Sequence, residues 1–208
     1  LKVLNELERV LKASPQVLRD KRKLQQIIQA TFNIWLDDVS FRSIGNLVDR
    51  IDDAVLSKYF GEIWQPRTKK FKYSGLKLVD EINALKPRSV LDLGCGYNEF
   101  KGKINNIIGI DPYNKNADIR IGILDYTPSD KFDVIICLGS INFGSTDKIF
   151  AELEHTVKLC DQGGRMFFRV NPGHQHTPPE SKWISFYPWD ATFIQNCADY
   201  FNLKILDL

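Results

Sequence analysis

Three aspartates and two pairs of small residues stand out because each falls at the end of a short apolar run. Asp92-x-Gly94-x-Gly96 closes "SVLDLGCG", Asp111 closes "NIIGID", Asp125 closes "IRIGILD", and Gly139-Ser140 closes "FDVIICLGS". Glycines one residue apart can take backbone angles closed to other residues and let the main chain approach a ligand. An acidic residue about 20 positions after such a turn can accept both hydroxyls of a ribose, the role expected of Asp111. Asp125 can accept from an exocyclic amine such as that of adenine, and Asp92 can receive a cationic amino group. A tight turn and ordinary polar strand ends would use the same residue types. Suitable chemistry at four successive run ends favours the pocket.

The residues after the glycines narrow the choice of nucleotide. Dinucleotide binding calls for G-x-G-x-x-G, in which the third glycine lets helix and strand pack closely. Here that position is Glu99, and a carboxylate would oppose a pyrophosphate at a helix N-terminus. No G-K-[ST] is present for a triphosphate loop. Asp92 beside the glycines suits a ligand with positive charge and no phosphates. An NAD-dependent oxidoreductase is disfavoured by the same Glu99.

The elements that must position these residues can be read from periodicity. Nearly continuous apolar runs at 89–94, 106–111, 119–125, 132–140, 164–171 and 203–208 read as strands covered on both faces, as in a parallel sheet. Helices are expected over about 75–85, 146–160 and 190–200, the last capped by Asp190. The gaps between the first four strands are too short for a full crossover, which needs at least about 10–12 residues. The fold class is therefore α/β, a Rossmann-like, mostly parallel twisted sheet of six to seven strands with reduced helices between the early strands. A helical N-terminal region precedes it. Its stripes are Leu4, Leu7 and Leu11, then Val17, Leu18, Leu24, Ile27, Ile28 and Trp35 after a Ser14-Pro15 cap, then Leu47, Ile51, Ala54, Val55 and Tyr59 with Gly61 as a stop. The expected division is a helical cap over 1–72 and a ligand-binding core over 73–208.

Composition excludes several classes. The 208 residues are 43% hydrophobic with a formal charge of +2, so a core can form and no global field argues for nucleic acid or an anionic membrane. Nucleic acid remains a less favoured partner through two basic clusters, Arg19–Lys23 and Arg67–Lys72, which as solvated faces need no partner. The cysteines Cys95, Cys137, Cys160 and Cys197 form no CxxC pair; free thiols favour a reducing, cytoplasmic compartment. No apolar run approaches the roughly 20 residues of a membrane helix. The chain opens on Leu1 rather than Met, from which a missing N-terminal piece is expected.

"VLDLGCG", "IIGIDPY", "ILDY" and "FDVIICLGS" together resemble the successive motifs of class I S-adenosylmethionine-dependent methyltransferases, over roughly Tyr73 to Leu208. The resemblance implies S-adenosylmethionine as cofactor, S-adenosylhomocysteine as product and no metal. By position it implies that Asp92, Leu93, Gly94, Cys95 and Gly96 hold the methionyl end. Asp111 and Pro112 would serve the ribose, Asp125 and Tyr126 the adenine edge, and Leu138, Gly139 and Ser140 the floor near the sulfonium. The missing helices are similar to those of compact phage-encoded methyltransferases, which would place the protein in a host cytoplasm. The family's sheet goes on to an antiparallel hairpin after its sixth strand. An end at Leu208 suggests a truncated chain, a disordered tail or a reduced sheet.

The methyl acceptor is not named by the sequence: a small molecule, protein or RNA all fit. Amino-methylating nucleic-acid enzymes of the family carry [DNS]-P-P-[YFW] where this chain reads "LGSINF", which disfavours that chemistry. His174, His176 and Asn171 are the candidate catalytic residues, histidine because its pKa suits a base. As loop polar groups they need no such role, and as metal ligands the histidines lack a third partner. Trp183, Phe186, Tyr187 and Trp189 could wall an acceptor pocket or simply pack over the sheet. The rival to an enzyme is a non-catalytic scaffold that keeps the fold and binds a protein through its N-terminal helices.

Overall fold

A computed structural model describes residues 2–13, 17, 20–36, 44–65, 75–174, 176 and 179–208. The Ser14-Pro15 cap, the Arg67–Lys72 cluster and Tyr73 lie outside these residues. The chain forms two compact units, one of residues 1–64 with 175–185 and one of 65–174 with 186–208.

The first unit is helical. α1 (Lys2–Ala13) buries Val3, Leu7 and Leu11. α2 (Lys21–Phe32) is opened by Asp20, whose carboxylate accepts from the Arg22 and Lys23 amides, and is closed by Asn33 in the left-handed region. It buries Leu24, Ile28 and Phe32, whereas Trp35, expected on its inner stripe, is 62% exposed. α3 (Ile44–Lys58) buries Leu47, Ile51 and Val55. It runs on into a π turn, Tyr59–Ile63, which carries Gly61 through where a stop was expected. Phe32 meets Trp183 edge-on at 4.7 Å, so Trp183 packs within the helical unit.

The second unit holds α4 (Leu78–Ala84), β1 (Val90–Leu93), β2 (Ile107–Ile110), β3 (Phe132–Leu138), α5 (Thr146–Leu159), β4 (Cys160–Arg169) and α6 (Ala191–Tyr200). Its four strands are all parallel in the order β2-β1-β3-β4. Leu91, Leu93, Ile110, Ile135 and Cys137 pack on one face with Ile149, Leu153 and Leu159 of α5 and Cys197 of α6. Val90, Ile107, Val134 and Ile136 pack on the other with Ile82 of α4, Phe100 and Ile104. Cover on both faces is why the strands read as unbroken apolar runs.

The α/β class and the parallel sheet stand as expected, but the strand number is corrected from six or seven to four among the described residues. At 119–125 the chain makes a single bridge, Ile119 to Ile110. Gly122 then starts a turn in which the Asp125 amide donates to the Gly122 carbonyl at 3.3 Å. Ile119 and Leu124 are left 40% and 44% exposed. Residues 203–208 form no ladder either, and Leu206 and Leu208 are 66% and 81% exposed. Apolar content alone did not distinguish these segments from strands; the interruption at Gly122 was the available signal. Between β1 and β2 the chain runs through turns without a helix, as the short gap required.

Leu91 is fully buried in the central strand. Leu91→Ala should lower the unfolding free energy by about 2–5 kcal/mol, whereas Leu206→Ala on the exposed tail should change it by less than about 0.5 kcal/mol. Urea unfolding monitored by circular dichroism separates the two.

Candidate functional site

Strand order reverses between β1 and β3, so their carboxyl ends flank the position where open parallel sheets bind ligands. The motif residues collect there. Gly94 and Gly96 both have positive φ, +68° and +53°. The Gly94 and Cys95 amides donate to the Ile110 carbonyl at 2.8 and 3.0 Å, fastening the turn after β1 to the end of β2.

Asp111 completes that fastening. One carboxylate oxygen accepts from the Gly96 amide at 3.0 Å, and the other accepts from the Tyr113 and Asn114 amides at 2.8 and 2.7 Å. Asp111 accepting from the amides two and three residues on is an Asx turn, and its signal in the sequence is "DPYN". With about four lone-pair sites on an ionised carboxylate, these bonds leave capacity for one further donor. Pro112 is exposed at the outer side of this turn.

Gly94 is confined more tightly than its φ alone requires. A Cβ there would sit 2.3 Å from the Ser140 Cβ. The Ser140 hydroxyl in turn donates to the Leu93 carbonyl at 2.6 Å and lies 3.0 Å from the Cys137 sulfur. The space freed by Gly94 is thus filled by the protein's own β3 end. Gly139, with φ +112°, turns the chain between Leu138 and Ser140.

Asp92 is 3% exposed. Among the described residues its carboxylate makes no hydrogen bond. Burial, with a smaller contribution from the Asp111 charge, raises its pKa from 3.8 to about 7. A buried carboxylate without donors is costly and is relieved by a proton or by a cation. The Cys95 thiol, half-buried beside Asp92, Asp111 and Asp118, is pushed well above its usual range, first by burial and then by those charges. It is thus a poor nucleophile.

The other candidates are distributed more widely. Tyr126 is buried against Phe132, and its carbonyl accepts from the His155 Nε2 at 2.8 Å, while Asp125 is exposed. Leu138 is half-buried, and its carbonyl accepts from Arg169 Nη2 at 2.9 Å. Asn171 closes its own loop: its amide nitrogen donates to the His174 carbonyl at 2.9 Å and its oxygen accepts from the His174 amide at 2.7 Å. The His174 ring is exposed. His176 belongs to the helical unit, where Nδ1 lies 3.0 Å from the buried Tyr59 hydroxyl. Phe186 pairs with Phe143, and Tyr187, Trp189 and Phe193 pack together. Among the described residues no group of three or more His, Cys, Asp or Glu is disposed to hold a metal ion, and no helix is long and apolar enough to cross a membrane.

A depression of about 260 Å³ lies at the opposite end of the sheet, beside Lys86, Arg88, Asp133, Asp161 and Arg165. There Arg88 bridges Asp133 and Asp161 at 2.7 and 3.1 Å. These are amino-terminal strand ends, away from the glycine turn, and Arg88 neutralises the two carboxylates there.

Solved structures share this fold. A 1,6-didemethyltoxoflavin-N1-methyltransferase from Burkholderia thailandensis, with S-adenosylhomocysteine bound, aligns at a TM-score of 0.56 and 13% identity over 84% of this chain and 85% of that one. The magnesium protoporphyrin IX methyltransferase of Synechocystis PCC 6803, with S-adenosylmethionine bound, aligns at 0.50 and 15% over 75% and 88%. This chain has the Rossmann-like fold of the class I methyltransferases. No family model and no curated protein matches the sequence. In this chain the glycine turn and the Asp111 turn stand at the carboxyl ends of β1 and β2.

Gly94→Ala should destabilise the protein by about 1–3 kcal/mol or more, through both strained φ and the Ser140 clash; adding Ser140→Gly should recover only the steric part, as read by thermal unfolding. Asp92 holds its proton to about pH 7 when folded but to about pH 4 when unfolded. Stability contributed at low pH is therefore lost as pH rises from about 4 through about 7. Glu152, buried and likewise raised to about 7, adds the same sign. The stability of Asp92→Asn relative to wild type should climb across that interval and level off above it; a pH-independent difference would contradict the assignment.

Proposed function

We propose that this protein is an S-adenosylmethionine-dependent methyltransferase. The observation that carries the reading is the buried Asp92 carboxylate, without a hydrogen bond among the described residues, beside the glycine turn at the strand-order reversal. Its chemistry suits a cationic amino group and rejects a phosphate. The residues fit the cofactor: Asp92 with the Gly94–Gly96 turn would receive the methionyl end, and the remaining capacity of Asp111 would take a ribose hydroxyl. Tyr126 and Asp125 would border the adenine, and Leu138, Gly139 and Ser140 the floor. When bound, the cofactor supplies a methyl group on an excellent leaving group. The chain's own task is then alignment and exclusion of water.

Calorimetric titration with S-adenosylmethionine and S-adenosylhomocysteine tests the reading. Both should bind, and affinity should rise with pH up to about 7 as Asp92 loses its proton. Asp92→Asn should flatten that dependence. Asp111→Asn should weaken binding at least about ten-fold, as expected for one charge-assisted hydrogen bond. Absence of binding by the wild type, or undiminished binding by Asp111→Asn, would overturn the assignment.

A scaffold is the second reading, and it is favoured by one observation: the His176 ring is engaged by Tyr59 within the helical unit rather than left for an acceptor. Transfer of labelled methyl from the cofactor into lysate fractions separates the two, since a scaffold binds cofactor and labels nothing.

A further inference from the structure

Asn142, four residues beyond the end of β3, is 3% exposed. Its side-chain oxygen accepts from the Asn171 amide at 3.0 Å, which fixes the orientation of the group. Its backbone is held as well, the N–H donating to the Ser140 carbonyl at 3.0 Å and the carbonyl accepting from Tyr187 at 2.8 Å. The amide nitrogen is left over. Among the described residues Nδ2 makes no hydrogen bond, and it lies 3.6 Å from where a Cβ on Gly139 would stand. With its oxygen already committed, the NH2 group offers two donors beside the β3 turn, open to solvent and so to a ligand.

The surroundings say what would match them. Arg169 ends β4, and its guanidinium donates to the Leu138 carbonyl on the same turn, which brings a permanent cation to this mouth. The segments of this unit that converge there, 138–145, 169–174 and 186–189, contain no carboxylate. The acids Asp92, Asp111 and Asp118 all belong to the β1 and β2 ends. Phe143, next to Asn142, pairs with Phe186 at 5.2 Å between centroids, so an apolar wall adjoins the donors.

We infer that the carboxyl ends of β3 and β4 form an acceptor subsite for a carboxylate-bearing molecule, held by Asn142 Nδ2 and Arg169. The inference rests on the methyltransferase reading and adds the substrate class to it. Asn142 and Arg169 act here in recognition; the carboxylate is the handle by which the acceptor is placed.

The test is a ¹H–¹⁵N titration of the protein saturated with S-adenosylhomocysteine, using benzoate, its neutral isostere benzamide, and phenyl phosphate. Benzoate should shift the Asn142 side-chain amide resonances and bind at least about ten-fold more tightly than benzamide. Asn142→Asp retains the oxygen that accepts from Asn171, so the loop is kept while the donors become an acceptor. That variant and Arg169→Gln should each weaken benzoate at least about ten-fold, with S-adenosylhomocysteine affinity held within about two-fold. Equal binding of benzoate and benzamide, or benzoate affinity untouched by either substitution, overturns the subsite. Preference for phenyl phosphate over benzoate overturns the carboxylate assignment. Failure of S-adenosylhomocysteine to bind wild type would strike the cofactor reading alone, and the same three titrations would then be read on the protein without it.

Discussion

The carboxylate of Asp111 is the constraint on which the site depends. Its bonds to Gly96, Tyr113 and Asn114 join the turn after β1 to the turn after β2 through a single side chain. Hydrogen bonds to a charged group are worth about 1.5–3 kcal/mol each, and this side chain gathers three of them. It also sets the electrostatics around it. The Asp111 charge adds to the burial that raises the Asp92 pKa to about 7, and both charges add to the burial that raises the Cys95 thiol pKa.

The second constraint is the approach of β3 to β1. Glycine turns of this kind are usually explained by the ligand, yet the Cβ that Gly94 lacks would strike Ser140, whose hydroxyl is engaged with Leu93 and Cys137. Gly94 therefore serves the protein's own packing first. Ser140, read from the sequence as pocket floor, is a clasp between two strand ends. Any ligand that rests on this floor meets a surface already fixed by hydrogen bonds, which favours pre-organisation over induced fit.

Much of this arrangement was legible because the motifs state local needs. Asp92, Gly94, Gly96 and Asp111 stand where strand ends and turns demand them, and the two-face burial of β1 and β3 is written in their unbroken apolar runs. What escaped depended on long-range partners. Segment 119–125 has strand-like composition, but the turn at Gly122 leaves it only one bridge to β2. Residues 203–208 are as apolar and have no neighbour in the sheet at all. Asn142 carried no signal, since an asparagine in a loop is ordinary until the Asn171 amide is seen to occupy its oxygen. His176 looked equivalent to His174 in sequence, and only the contact with Tyr59 sets them apart.

These placements give the carboxyl edge of the sheet a division of charge. Acids gather at β1 and β2, while an amide donor and a guanidinium face the ends of β3 and β4. Under the proposed reading, a cationic methyl donor on the first side would attract an anionic acceptor on the second. After transfer the donor has lost its sulfonium charge, and that part of the attraction disappears. The same asymmetry that assembles the two reactants would thus weaken the hold on the two products. A neutral acceptor could still take hydrogen bonds from Asn142 and Arg169 but would lack the charge-assisted part of the attraction. Under that reading the division of charge along the sheet edge would bear on turnover as well as on recognition, and it comes from side chains held by hydrogen bonds to the backbone.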